Sequence, residues 1–134
     1  MRKKLTPFPK LIKKLDELWS LKIRQRDNKC ILCGGYVNDI KHLQAHHWIV
    51  TRNQSSKYRW DLRNGVSLCY GCHIHQVHSN PSVELINRLK ELCILNKIAT
   101  PEDIEEIINN RHEIFKPNRI FLEDKINEYG HGNK

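Results

Sequence analysis

Long apolar runs are missing from this sequence. None approaches the roughly 20 residues a helix needs to span a bilayer, so a helical membrane protein is a poor reading. Aromatic residues are scarce as well, at 7% of 134 residues, and hydrophobic residues of all kinds reach 39%. That promises a modest core in need of a staple. Met1-Arg2-Lys3-Lys4-Leu5-Thr6-Pro7 is basic, but no apolar stretch follows it, so it does not read as a secretory signal. There is no internal repeat and no low-complexity linker. Acid is the remaining shortage, with 15 Asp+Glu against 23 Lys+Arg and a formal net charge of +8. A secreted disulfide scaffold and a disordered tail are thereby disfavoured. A single domain with short helical extensions, in the cytoplasm, is expected.

The charge is uneven. Residues 1–35 carry ten Lys/Arg and three Asp/Glu; residues 36–80 carry five and two, along with six of the eight histidines. Residues 81–134 carry eight and ten, so the last third is acidic. A basic first half beside an acidic end suits one face for a polyanion and a scaffold behind it, although lysine-rich helices are also simply soluble.

Leu11, Leu15, Leu18 and Trp19 recur at i, i+4, i+7 and i+8, widened by Ile12 and Ile23. They predict an amphipathic helix from about Lys10 to Arg26, begun through Pro7 and Pro9 and ended by Asp27-Asn28. Cys30 to Gly35 reads as a tight knuckle, and Val37 to Ile49 as extended. Arg52 to Gly65 is polar and loop-like, closing on the turn dipeptide Asn64-Gly65; Val66-Ser67-Leu68 favours a strand. Helix is expected from Cys72 through Val77. Asn80-Pro81 should cap another, with Val83, Ile86, Leu89 and Cys93 inward. Thr100-Pro101-Glu102-Asp103 is a capping signal for a helix that buries Ile104, Ile107 and Ile108. A short element from Arg119 to Tyr129 closes the chain.

Cys30-x-x-Cys33 and Cys69-x-x-Cys72 are two knuckles with 35 residues between them. Each bends the backbone so that two thiolates converge, and four sulfurs complete a closed tetrahedral zinc site. A redox pair usually comes singly, and a cytosolic setting disfavours disulfides. Structural zinc is the expectation. With four thiolates and no open position, it is not a catalytic ion. Cys93, on a helix stripe, reads as a buried small residue.

His46 and His47 are adjacent, and His73 follows Cys72 directly, with His75 and His78 close by. On a strand, His46 and His47 point to opposite sides, so one can ligate a metal while the other reaches a water. A helix starting near Cys72 would turn His73 toward His46.

The order Cys30-Cys33, His46-His47, Asn64, Cys69-Cys72-His73 resembles the HNH endonucleases of the ββα-metal (His-Me finger) fold, in their zinc-stapled phage-type form. The resemblance covers about residues 18 to 80, including Trp19-Ser20-Leu21 and Arg24-Gln25-Arg26-Asp27, and the layout is also similar to phage endonuclease VII. It implies that His46 is a metal ligand and His47 the general base. It makes Asn64 the middle residue of the motif, holding the loop between the strands and helping to orient His47. It makes His73 a second ligand. In many relatives a further histidine stands four residues on; here that position is Val77, and His78 and His75 are rivals for third ligand. The product would carry a 5′-phosphate and a 3′-hydroxyl.

The residue types suit that chemistry. A divalent ion offsets charge building on phosphoryl oxygens, and a neutral imidazole takes a proton from water near neutral pH. Arg52, Lys57, Arg59 and Arg63 lie between the halves of the motif and would border the cleft and contact phosphates, or form a solvated loop. Trp48 should face the zinc-side core. Trp60 should pack over the knuckle, with stacking on a base as the rival. Lys10, Lys13, Lys14, Lys22 and Arg24 lie along DNA or simply face solvent.

The reading is an α+β protein with a ββα-metal core and a four-cysteine zinc site. Residues 1–28 form a basic helix, 29–80 the core and 81–134 a helical extension. Its expected function is DNA hydrolysis with Mg²⁺, or Mn²⁺ or Ni²⁺, as the catalytic ion. DNA is the partner, with a homodimer or a phage protein as further possibilities and a phage or prophage source. The alternatives are a junction-selective nuclease of phage recombination and a zinc DNA-binding module whose histidines are incidental.

Overall fold

The computed structural model describes residues 5–77 and 81–130, except for the side chain of His75. Helix α1 spans Phe8–Asp27 and buries Leu11, Leu15, Leu18, Trp19 and Ile23, the stripe its spacing predicts. Pro7 sits at its N-cap, where a missing N–H costs nothing. Asn28 ends it in the left-handed conformation (φ 54°), returning its N–H to the Arg24 carbonyl. Asp27, the last helical residue, points inward and accepts from the Ser67 N–H at 2.8 Å.

The knuckle follows at once. Gly34 takes φ +76°, and its N–H reaches the Cys30 carbonyl at 2.8 Å while the Cys30 N–H reaches Gly35 at 3.0 Å. Only part of Val37–Ile49 is extended. The Asp39 carboxylate accepts from the Lys41 N–H at 3.0 Å and winds Ile40–His42 into a 3-10 turn. Strand β1 is therefore Leu43–His47. It pairs antiparallel with β2, Gly65–Cys69, in a two-stranded sheet, with Leu43 opposite Cys69 and His47 opposite Gly65.

Asn64-Gly65 is not a hairpin turn. Gly65 has φ −119° and begins β2; a Cβ there would lie 2.5 Å from Ile23 Cδ1 and 2.6 Å from the Trp19 ring. The glycine is required because α1 crosses directly over the strand.

A π-helical turn, Gly71–Val77, leaves β2. Helix α2, Val83–Leu95, starts later than Asn80-Pro81 suggests. Ser82 is its N-cap, accepting from the Leu85 N–H at 3.1 Å, and Asn80 lies outside the described residues. Its inward face is also rotated. Leu85, Leu89, Leu92 and Cys93 pack on the core, whereas Val83 and Ile86 are 70% and 54% exposed. The observed stripe keeps helical spacing and offers three leucines to the sheet, more apolar area than the predicted one. Helix α3, Pro101–Asn109, carries the full capping box between Thr100 and Asp103 and buries Ile104 and Ile107, leaving Ile108 at the surface. Helix α4 is Arg119–Gly130.

Two larger apolar clusters and one small one result. Cys30, Ile31, Leu43, Leu68 and Cys72 join α2 beneath the knuckles. On the other side of the sheet α1 packs against α4, closing Leu15, Trp19 and Ile23 over Leu122, Tyr129 and Trp60. Trp60 thus lies under α1 and α4, not over the knuckle, drawn there by Phe121 and by the Tyr129 hydroxyl, which donates to its carbonyl at 2.6 Å. Val50, Tyr58 and Ile107 form the third. No helix among the described residues is long and apolar enough to cross a membrane.

Candidate functional site

The four cysteines converge. The sulfurs of Cys30, Cys33, Cys69 and Cys72 all lie within 4.8 Å of one another, with Cys33 and Cys69 at 3.9 Å, and none is in a disulfide. A tetrahedron with Zn–S bonds of about 2.3 Å separates its sulfurs by roughly 3.8 Å. The donor set fits, and these residues can hold a metal ion such as zinc. Cys30 and Cys72 are buried and Cys33 opens to solvent. Burial pushes the Cys30 and Cys72 thiols up. At Cys69 burial acts the same way, but a backbone hydrogen bond from Cys72 and the neighbouring sulfurs outweigh it and the thiol is lowered. Gln76 Nε2 stands 3.8 Å from the Cys72 sulfur as an outer contact. Cys93 is fully buried in the core beneath, its thiol pushed up to about 12 by burial and, secondarily, by the Asp27 charge.

β1 sends its paired histidines to opposite sides. His46 meets His73 edge to face with ring centroids 5.0 Å apart. The His73 Nδ1 is hydrogen-bonded to Gln44 Oε1. An amide oxygen only accepts, so this contact places the proton on Nδ1 and the lone pair on Nε2. Gln44 lies two residues before His46 on the same face of β1, a relation that strand alternation makes legible in the sequence. His78, expected as a possible third ligand, lies outside the described residues, as does the His75 side chain. Among the described residues the four cysteines are the one group of three or more potential metal ligands gathered in this way.

His47 is held differently. Its Nε2 donates to the Arg59 carbonyl at 2.8 Å, leaving Nδ1 as acceptor. Its ring stacks on Trp19 at 4.1 Å and 9°. Burial lowers its pKa below the ordinary value, only partly opposed by the Arg59 carbonyl, and Arg52 lowers it further. The imidazole is neutral at neutral pH, the form that accepts a proton. His46, His47 and His73 line one open cleft of about 310 Å³ with Ala45, Thr51 and Arg52. A more apolar groove of about 410 Å³ shares His46, His47 and Thr51 and continues past Leu85 and Ile104.

Asn64 is fully buried. Its Oδ1 accepts from the Ile49 and Val50 N–H groups at 2.9 and 3.0 Å, and its Nδ2 donates to the Val50 and Tyr58 carbonyls at 2.8 and 3.2 Å. One side chain thus ties both ends of the loop between β1 and β2, one residue from the carbonyl that holds His47. Trp48 faces the core on the cysteine side as expected, with Nε1 donating to the Arg63 carbonyl at 2.8 Å.

The four basic residues of that loop divide sharply. Arg63 is engaged by Asp61, Asp103 and Glu106 at 2.7, 3.0 and 2.8 Å. Arg59 makes a two-point pair with Asp16, and Lys57 pairs with Glu113. Arg52 is exposed and lines the cleft without an ion pair among the described residues. Residue type and position suggested four phosphate contacts; the carboxylates paired with three of them come from α1 (Asp16), the loop itself (Asp61), α3 (Asp103 and Glu106) and the segment after α3 (Glu113). On α1, Lys10, Lys13 and Lys14 are exposed, whereas Arg24 is tied back to Ser20 and Ile40.

The class defined by fold and site is an α+β protein with a small antiparallel sheet and a four-cysteine cluster able to hold metal, beside a histidine cleft. No family model, curated protein or solved structure matches the chain.

Proposed function

We propose that the chain is a metal-dependent DNA endonuclease of the HNH type, stapled by a structural zinc ion on Cys30, Cys33, Cys69 and Cys72. The supporting observation is the division of labour across β1. His46 and His73 meet at 5.0 Å, while His47, next in sequence, is oriented by a backbone carbonyl with its Nδ1 as acceptor, and all three line one cleft. His46 and His73 would hold a divalent ion, Mg²⁺ or Mn²⁺, with His78 or His75 as the rival third ligands. Such an ion would supply positive charge against that building on the phosphoryl and departing 3′ oxygens. His47 takes a proton from water at Nδ1; the water oxygen bonds phosphorus, the bond to the 3′ oxygen breaks with its electron pair going to that oxygen, and the 3′ oxygen takes a proton from solvent. The products are a 5′-phosphate and a 3′-hydroxyl. Arg52 and the α1 lysines would meet phosphates.

The test is plasmid cleavage with Mg²⁺ or Mn²⁺. The wild type is expected to nick or linearise supercoiled DNA. His47→Ala is expected to lose about 10²-fold or more of the rate, the scale of general-base catalysis. His46→Ala should lose activity with its melting temperature retained. Intact plasmid in every divalent ion tried overturns the reading, and DNA binding without cleavage would leave a zinc binding module in its place.

A further inference from the structure

Two contacts on His47 come from outside the strand that carries it, and both trace to α1. Trp19 lies flat against the imidazole at 4.1 Å, and its Nε1 donates to the Asp61 carbonyl at 3.0 Å. One turn earlier, Asp16 grips the same loop. Its Oδ1 accepts from Arg59 Nε at 3.1 Å and Trp60 Nε1 at 2.8 Å, and its Oδ2 accepts from Arg59 Nη2 at 2.6 Å. Arg59 supplies the carbonyl that receives the His47 Nε2–H. Three consecutive residues, Arg59, Trp60 and Asp61, are therefore fastened to one face of α1, and the carbonyl in that segment dictates which imidazole nitrogen carries the proton.

We propose that α1 is the positioning element of the histidine cleft: Asp16, through Arg59, fixes the His47 tautomer, and Trp19 fixes the plane of its ring. The proposal rests on the nuclease reading for the consequence in rate, but not for the tautomer itself. A neutral imidazole has two tautomers of similar energy, and only a partner on one nitrogen selects between them. A backbone carbonyl selects only if its segment is held: within the 17-residue loop between β1 and β2, Asn64 Nδ2 and the Asp61 N–H hold the neighbouring Tyr58 carbonyl at 3.2 and 3.3 Å, and Asp16 holds Arg59 itself from outside. The carboxylate accepts from two different side chains of that loop, a two-point grip that fixes both distance and angle. The flat stack denies the ring its other rotations. The Arg59 guanidinium, which residue type alone would assign to phosphate, thus serves the base through its own main chain.

The experiment uses the full-length, zinc-loaded chain with ¹⁵N-labelled histidine, above the ordinary imidazole pKa. Wild-type His47 should show one tautomer, protonated at Nε2. Asp16→Ala should show a mixture, with kcat falling about tenfold or more and KM for DNA within about twofold, because a misaligned base loses rate and not binding. Trp19→Phe, which keeps a flat ring, should retain more kcat than Trp19→Leu. If Asp16→Ala fails to fold, Asp16→Asn decides, since it keeps the volume and breaks the two-point grip. A single Nε2–H tautomer and unchanged kcat in the folded Asp16 variant overturn the proposal while leaving the nuclease reading standing. A wild type that cuts no DNA overturns the nuclease reading, and the tautomer spectra still judge α1.

Discussion

Asn64 and Gly65 show how much a dipeptide can carry beyond its turn propensity. The Asn64 side chain satisfies four backbone groups of a loop that has no strand partner, three of the bonds buried and the one to Ile49 part-buried. Leaving buried groups unpaired costs about 1–3 kcal/mol each. Asn64→Ala is therefore expected to destabilise the domain by more than about 3 kcal/mol, read as a lower urea midpoint. Asn64→Asp should be damaging too, because a carboxylate cannot donate to Val50 and Tyr58. An unchanged midpoint in the alanine variant would contradict the bonding described. At Gly65 the backbone is ordinary and the limit is space. Gly65→Ala should cost about 1–3 kcal/mol by overpacking against Ile23 and Trp19, measured by thermal melting, and a smaller side chain at position 23 should recover part of the loss.

Among the elements, α3 joins a local signal to a distant one. Its capping box is written in Thr100-Pro101-Glu102-Asp103, and the same Asp103 receives Arg63 from 40 residues earlier. The Thr100 backbone N–H first, and then Arg63, hold the Asp103 carboxyl below its ordinary value. A depressed folded pKa means stability that is present above the unfolded carboxylate range and lost as pH falls through the folded value. Unfolding stability should decline on acidification below the ordinary aspartate pKa of about 3.9, and Asp103→Asn should make that decline shallower. Thr100→Ala should cost about 1 kcal/mol at neutral pH. Equal acid sensitivity in wild type and Asp103→Asn would show that the carboxylate does not contribute. The face of α2 follows another logic. Two overlapping apolar stripes run along it, and the larger one, with Leu85, Leu89 and Leu92, packs on the core while Val83 and Ile86 stay exposed.

At the scale of the whole molecule, the clusters meet across a sheet of two strands, too little to stand alone in water. The cysteine frame joins the segment after α1 to the end of β2, and α4 closes the opposite side on α1. With the proposed zinc in place, metal-binding free energy is folding free energy. Cys69→Ala, or a strong chelator, is expected to abolish the cooperative melt or lower its midpoint by tens of degrees. An unchanged melt in chelator, with metal loss verified by elemental analysis, would remove zinc from the account.

The shortage of aromatics and long apolar runs foretold a thin core in need of a staple, and the cysteines whose convergence could supply one were legible as two spaced pairs. The α1 stripe, the knuckle and the capping box were legible too, because each is fixed by sterics and hydrogen bonds within a few residues of chain. The opposite orientation of His46 and His47 followed from the strand period alone. Tertiary structure decided what depends on partners far along the chain. It paired Arg59 with Asp16, and Arg63 with Asp61, Asp103 and Glu106. It moved Trp60 under α4 and gave His47 a carbonyl and a ring from elsewhere. A charged or aromatic side chain has several partners of comparable energy, and which one it meets is set by packing that joins residues about 40 positions apart.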